Sequence, residues 1–326
     1  MRKSFMFLLT IVAMGIGVFI AEAQQPKKVP QIGVITGATS SFAPPYIEAA
    51  RRGFFKLGYS EGQMAVEYRF GEGKYRRLPE LAAELVRLKV DVIVAVGDPA
   101  IYAAREATKT IPIVMMFAGN PVAGGLVASL ARPGGNLTGT TFLTSELAGK
   151  RLELLKEVTP KASRTFVLWN PQNPGGSLDF RETEVGARQL GMTMESLEVR
   201  DSNEIDRAFA KITGDLTHSL IVLTDPVTIR NRKQIVNLAI KNRLPSMYEL
   251  RELVDDGGLM SYGPSLLSII ERTAFYVDKI LKGAKAAELP VEQPTTFELY
   301  INLKTAKQIG ITIPQSVLFR ADKIIQ

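Results

Sequence analysis

Short apolar runs alternate along most of this chain with longer amphipathic stretches. The run "VDVIVAV" is apolar on both alternating faces, the pattern of a strand buried on two sides. The same reading predicts strands over 31–36, 65–68, 90–96, 111–117 and 137–141. Helices are predicted between them over 45–57, 78–88, 99–107 and 122–130. Strands alternating with helices imply a parallel sheet covered on both faces. The order then starts again, with strands over 165–169, 193–199, 219–223 and 246–248 and helices over 179–190, 203–211 and 228–242. A helix over 262–282 is expected to return to the first half, followed by an extended stretch at 295–301 and a short helix at 303–309.

Marker residues tie the two halves together. Leu57-Gly58, Ile111-Pro112 and Gly124-Gly125-Leu126 recur at one constant offset as Leu190-Gly191, Leu244-Pro245 and Gly257-Gly258-Leu259. Asp98-Pro99 recurs as Asp225-Pro226 at a slightly shorter offset. Two α/β lobes follow: residues 30–141 with about 262–284, and residues 142–260. The tail 285–326 is left open between the lobes, with the second as the working assignment. Four predicted strand ends carry Asx-Pro: Asp98-Pro99, Asn120-Pro121, Asn170-Pro171 and Asp225-Pro226. Asp and Asn are good N-caps and proline suits the first helical position, so each pair is expected to start a helix. In open α/β sheets ligands sit beyond these same strand ends.

The N-terminus changes the picture. Arg2 and Lys3 precede an apolar stretch that ends at Ala21-Glu22-Ala23, the layout of a secretory signal peptide over 1–23, cut before Gln24. The apolar run is shorter than the ~20 residues of a membrane span. With no cysteine there is no lipid-anchoring thiol, disulfide or thiolate metal site, so a soluble periplasmic protein is expected. The net charge of +7 comes from scattered basic residues such as Lys74, Arg76 and Arg77, which argues against nucleic-acid binding. The single histidine, His218, has no nucleophile pattern beside it, and no phosphate loop or hydrolase motif is present.

The stretches "SLARPGGNLTGTT" (129–141), "VLWNP" (167–171), "LTDP" (223–226), "GGLMSYGPS" (257–265) and "ELPVEQPTTFELYINLKTAKQIGITIP" (288–314) carry a family likeness. With them, the chain resembles the ABC-transporter substrate-binding proteins whose better-known members bind aromatic amino acids. The resemblance implies a type I periplasmic binding protein: two Rossmann-like lobes, parallel sheets flanked by helices, hinged and closing over a small ligand. It implies delivery to permease subunits at the membrane, a monomer, and no metal or cofactor. Carried over by position, the cleft loops supply Thr36, Ser40, Ser41 and Phe42, then Gly97 and Asp98, then Phe117 and Asn120. The second lobe supplies Asn170, Asn173, Thr224, Asp225, Tyr248 and Glu249. Asp98, Asp225 or Glu249 suits a ligand ammonium, while Thr36, Ser40 and Ser41 suit a carboxylate. Phe42, Phe117, Trp169 and Tyr248 are expected to sandwich the ligand body. A free amino acid or close derivative fits that set. The rival readings are an exported α/β enzyme working at the same cleft and the effector domain of a transcription factor. The second would need a DNA-binding segment where the signal peptide stands.

Overall fold

The computed structural model describes residues 29–142, 145–212 and 217–326, so the expected signal peptide and its cleavage site lie outside the described residues. The first sheet contains β1 (Gln31–Thr36), β2 (Ala65–Phe70), β3 (Val92–Val96), β4 (Ile113–Ala118) and β5 (Leu137–Thr141). All its pairings are parallel, in the order β2-β1-β3-β4-β5. Helices α1 (Pro44–Lys56), α2 (Leu78–Arg87) and α3 (Asp98–Ala107) connect the first four strands.

After α4 (Ala148–Val158) the plan repeats with β6 (Arg164–Trp169), α5 (Gly176–Gln189), β7 (Thr193–Glu198), α6 (Ser202–Ala210) and β8 (His218–Val222). It continues through α7 (Pro226–Arg230), α8 (Arg232–Lys241), β9 (Ser246–Tyr248), α9 (Arg251–Asp255) and β10 (Met260–Pro264). These strands pair in the order β7-β6-β8-β9-β10, the order of the first sheet element for element. The constant offset of the marker residues therefore reflects two copies of one topology. Then α10 (Leu266–Leu281) returns to pack on α1, β3, β4 and β5. Antiparallel β11 (Phe297–Asn302), α11 (Leu303–Ile309), α12 (Gln315–Leu318) and β12 (Lys323–Ile325) complete the second sheet.

The chain crosses between sheets after β5, after β10 and again before β11. Two crossings touch, because Thr141 N–H donates to the Glu292 carbonyl and Glu292 N–H to the Gly139 carbonyl, each at 2.9 Å. Apolar clusters cover the faces of both sheets, with Ile93, Ala95 and Ile113 fully buried in one and Val167, Leu168 and Leu220 in the other.

Several expectations need correction. No helix forms over 122–130; Leu126 N–H instead closes a turn on the Pro121 carbonyl, and Gly125 takes a left-handed φ of 64°. The predicted helix over 228–242 breaks at Asn231 into α7 and α8. Strand β10 occupies residues where the C-terminal helix was expected to begin, because Gly263-Pro264 suits a strand end better than a helix interior. A Cβ on Gly263 would collide with the Glu249 carbonyl oxygen, so only glycine fits this crossing. Of the four Asx-Pro pairs, only Asp225 acts as a helix cap. Asp98 is already inside α3, whose N-cap is Gly97. Asn120 accepts from Ala123 N–H and Asn170 from Gln172 N–H, each at 3.0 Å, so both close local turns.

Candidate functional site

The carboxyl ends of the two sheets face each other, and between them opens a cavity of about 730 Å³. Thr36, Gly97, Asp98, Phe117, Asn173, Thr224 and Asp225 of the predicted site all line it. The remaining wall is mostly apolar, and Arg51 is the one basic residue among the described lining residues, against acidic Asp98, Asp179, Asp225 and Glu61. Such a wall favours a ligand with a positive group and an apolar body.

Asp225 is buried at this site and Asp98 half-buried, and their surroundings differ. Asp98 accepts a single hydrogen bond among the described residues, from Gly119 N–H at 3.2 Å. Its other oxygen faces Gly175 of the second lobe so closely that a Cβ there would collide with it. Burial pushes the Asp98 carboxyl up to about 6, with the Gly119 bond opposing. A carboxylate partly withdrawn from water with one partner is stabilised when a cation joins it.

Asp225 is saturated by comparison. Its Oδ1 accepts from Val227 N–H at 2.8 Å and Asn170 Nδ2 at 3.1 Å. Its Oδ2 accepts from Asn173 Nδ2 at 3.2 Å and from the Tyr75 hydroxyl, which comes from the other lobe. Burial raises the Asp225 carboxyl, and these four bonds work against that rise. Thr228 returns the cap by accepting from Asp225 N–H at 3.0 Å, completing a capping box. Burial, and then the Asp225 charge, push the Tyr75 phenol up, which keeps it a donor.

The approach of Phe117 depends on a bulge. The register between β4 and β5 shifts between Met115 and Ala118, and Phe117 takes a left-handed φ of 64°. Successive residues of a regular strand point to opposite faces, yet Met116 and Phe117 both line the cavity. A bulky residue held there costs of order 1–3 kcal/mol, a strain that marks functional sites. Phe142 meets the Phe117 ring edge-on at a centroid distance of 5.8 Å and lines the same space.

Other candidates stand elsewhere. Ser40 and Ser41 are exposed, and Ser41 borders a separate surface recess with Thr39, Glu72, Arg230 and Arg232. The Phe42 side chain lies outside the described residues. Asn120 does not line the cavity; Asn170 reaches it only through Asp225. Trp169 stacks on Phe180 at 4.6 Å and donates to Ser196, inside the second lobe. Tyr248 is fully buried in that lobe's core. Glu249 is also fully buried: Oε1 pairs with Arg151 Nη1 at 2.8 Å, and Oε2 accepts from Thr224 N–H at 2.7 Å. It holds the Thr224-Asp225 loop in place from behind. His218 begins β8, at the end of the strand away from the cleft.

Sequence reasoning missed Tyr46, Tyr75 and Asp179. Tyr46, on α1, donates to Glu252 of the second lobe at 2.8 Å. Tyr75 stands between the basic residues Lys74 and Arg76, and its place just beyond β2, at the cleft end of the sheet, was the available signal.

Two lobes of one topology, linked by crossing segments and closed over a cavity at the strand ends, define a type I periplasmic binding protein. The chain belongs to the ABC transporter substrate binding protein family, whose model matches residues 47–325, and it is a substrate-binding protein of an ABC transporter. It is 27% identical over 272 residues to the tyrosine-binding protein of Clostridioides difficile (strain R20291), covering 82% of this chain and 78% of that one. It superposes with a TM-score of 0.82 on an ABC domain from Streptococcus pneumonia in complex with L-Trp, at 26% identity, covering 91% of this chain and 99% of that one. Against a ligand-free, open substrate-binding protein from Clostridium difficile the TM-score is 0.64 at 25% identity, covering 91% of this chain and 100% of that one. In the present arrangement the lobes meet across the cleft through Tyr75 and Asp225, Tyr46 and Glu252, and Arg230 and the Glu72 carbonyl.

Proposed function

We propose that the protein is exported to the periplasm through a cleaved signal peptide and there captures a free amino acid with an apolar side chain, for delivery to a membrane permease. The observation that carries this reading is Asp98, a half-buried carboxylate with one hydrogen-bond partner, lining an otherwise mostly apolar cavity. An ammonium group there offsets the cost of burying the charge. The hydroxyls of Thr36 and Thr224 line the same end and suit the ligand carboxylate. Phe117 and Phe142 offer ring faces to the side chain. Names of relatives support the ligand class, since one is called a tyrosine-binding protein and another holds L-Trp.

Native mass spectrometry of protein purified from periplasmic extract without refolding tests the reading. An added mass equal to one amino acid supports it. A bound sugar or an anion lacking an amine refutes it, and turnover of the bound compound would favour an enzyme.

A further inference from the structure

The cavity does not stop at the cleft. From Thr36 and Asp98 it runs down one face of the first sheet, past Val34, Val66, Val94 and Met116. It reaches Met64 and the Tyr59–Gly62 loop at the opposite end of the strands. Strands β1 and β2 have six residues each, so at ~3.3 Å per residue the passage is roughly 20 Å long. Its roof is α1, which presents Tyr46, Ile47, Ala50, Phe54 and Phe55 at helical spacing, with Arg51 among them. Phe55 is 74% exposed at the far mouth.

The passage exists because α1 stands off its sheet. Helix α1 rests on α10, with Gly53 fitted against Ala274 and the Glu271 backbone, and has few contacts with the strands. Its counterpart in the second lobe, α5, packs directly on β6 and β7. There Thr165 to Trp169 of β6 are buried throughout, while its counterpart β1 leaves Val34 half-buried; the outer strands β2 and β7 are both largely half-buried or exposed. Native interiors keep few voids larger than a water molecule. A cavity of ~150 Å³ already holds a benzene-sized ligand, so about 730 Å³ is several times what an aromatic side chain needs.

We infer that this passage is a tail-binding tunnel, and that it takes an unbranched hydrocarbon chain attached to the amine-bearing head held at the cleft. The head assignment rests on the function proposed above; the tunnel itself rests on the position of α1. The walls are mostly apolar, and the polar side chains along them are Arg51 on α1, Tyr68 on β2 and Thr273 on α10.

Calorimetry with two homologous series separates the claims. In the first, 2-amino acids with straight side chains from 2-aminobutanoic to 2-aminododecanoic acid carry head and tail together. Affinity should rise by about fourfold for each added methylene, the equivalent of ~0.8 kcal/mol, through the longest member. In the second, normal alkanols of matching length carry the tail alone, and should bind more weakly with the same gain per methylene. Ala50→Phe places a ring in the middle of the tunnel, and should abolish the gain for long chains while 2-aminobutanoic acid binds as before. If both series are flat with length, the tunnel proposal is overturned, even where short amino acids bind. If alkanols show the gain but no amino acid binds, the tunnel stands and the amino-acid reading of the head site fails.

Discussion

The hydroxyl of Tyr75, in the first lobe, donates to the carboxylate of Asp225, in the second. The acceptor is also the N-cap of α7 and is held by Asn170 and Asn173, so the bond joins one lobe to a rigid cluster in the other. It exists only when the cleft is shut. Tyr46 to Glu252, and Arg230 to the Glu72 carbonyl, cross the same gap. These contacts act on the closed state alone, so they set how long a ligand is held more than how fast it arrives.

Tyr75→Phe should therefore speed ligand release. A hydrogen bond to a charged group is worth about 1.5–3 kcal/mol, which corresponds to dissociation roughly tenfold to a hundredfold faster. Stopped-flow fluorescence should show an association rate changed by no more than about twofold. An unchanged release rate would mean that the bond contributes nothing to closure.

Glu249 separates support from contact. Breaking one side of a buried ion pair costs about 3–5 kcal/mol, so Arg151→Met should destabilise the ligand-free protein by that order in urea unfolding. Adding Glu249→Gln should recover part of the loss. If Glu249→Gln alone leaves stability intact and weakens ligand binding, Glu249 is a ligand group after all.

Closing an empty cleft should be favoured by acid. The Asp98 carboxyl is pushed up to about 6 in the closed form, above its ordinary value, so the closed form binds more protons than an open, solvated one. Stability of the closed form relative to the open one is then greatest below the ordinary carboxylate range and falls as pH rises toward 6. Each pH unit inside that window changes the balance by about 1.4 kcal/mol. Burial raises Asp225 in the same direction. Small-angle scattering without ligand should give a smaller radius of gyration at pH 5 than at pH 7.5. Asp98→Asn should reduce the difference.

The fold was legible because its cause is periodic. Buried parallel strands such as 92–96 and amphipathic helices such as Leu303–Ile309 show their pattern in the residues themselves. The pairing of Leu57-Gly58 with Leu190-Gly191 showed the duplicated plan. The lining of the cavity was legible where it lay on strand ends, at Thr36, Gly97, Asp98, Thr224 and Asp225. It was hidden where placement depends on an irregularity: the bulge that turns Phe117 inward has no sequence period. Tyr75 and Tyr46 matter through partners in the opposite lobe, a relation that local patterns do not encode. Glu249 pointed the other way, because its buried partner Arg151 lies on α4, which the pattern reading did not predict.

Export makes a separate prediction. If Ala21-Glu22-Ala23 is the cleavage signal, N-terminal sequencing of protein from periplasmic extract should begin at Gln24. Recovery only from membranes, with Met1 retained, would refute it.

Titration calorimetry on Asp98→Asn tests the central claim most directly. Asparagine keeps the shape and removes the charge, so a lost ammonium partner should show in binding and not in folding. The parent should bind the free amino acid that co-purifies with it, and the variant should bind the same ligand roughly tenfold to a hundredfold more weakly. Its melting temperature without ligand should be no lower than the parent's, because a half-buried, poorly partnered charge has gone. Equal affinity in the two proteins would contradict the assignment of Asp98 as the group that holds the ligand's amine.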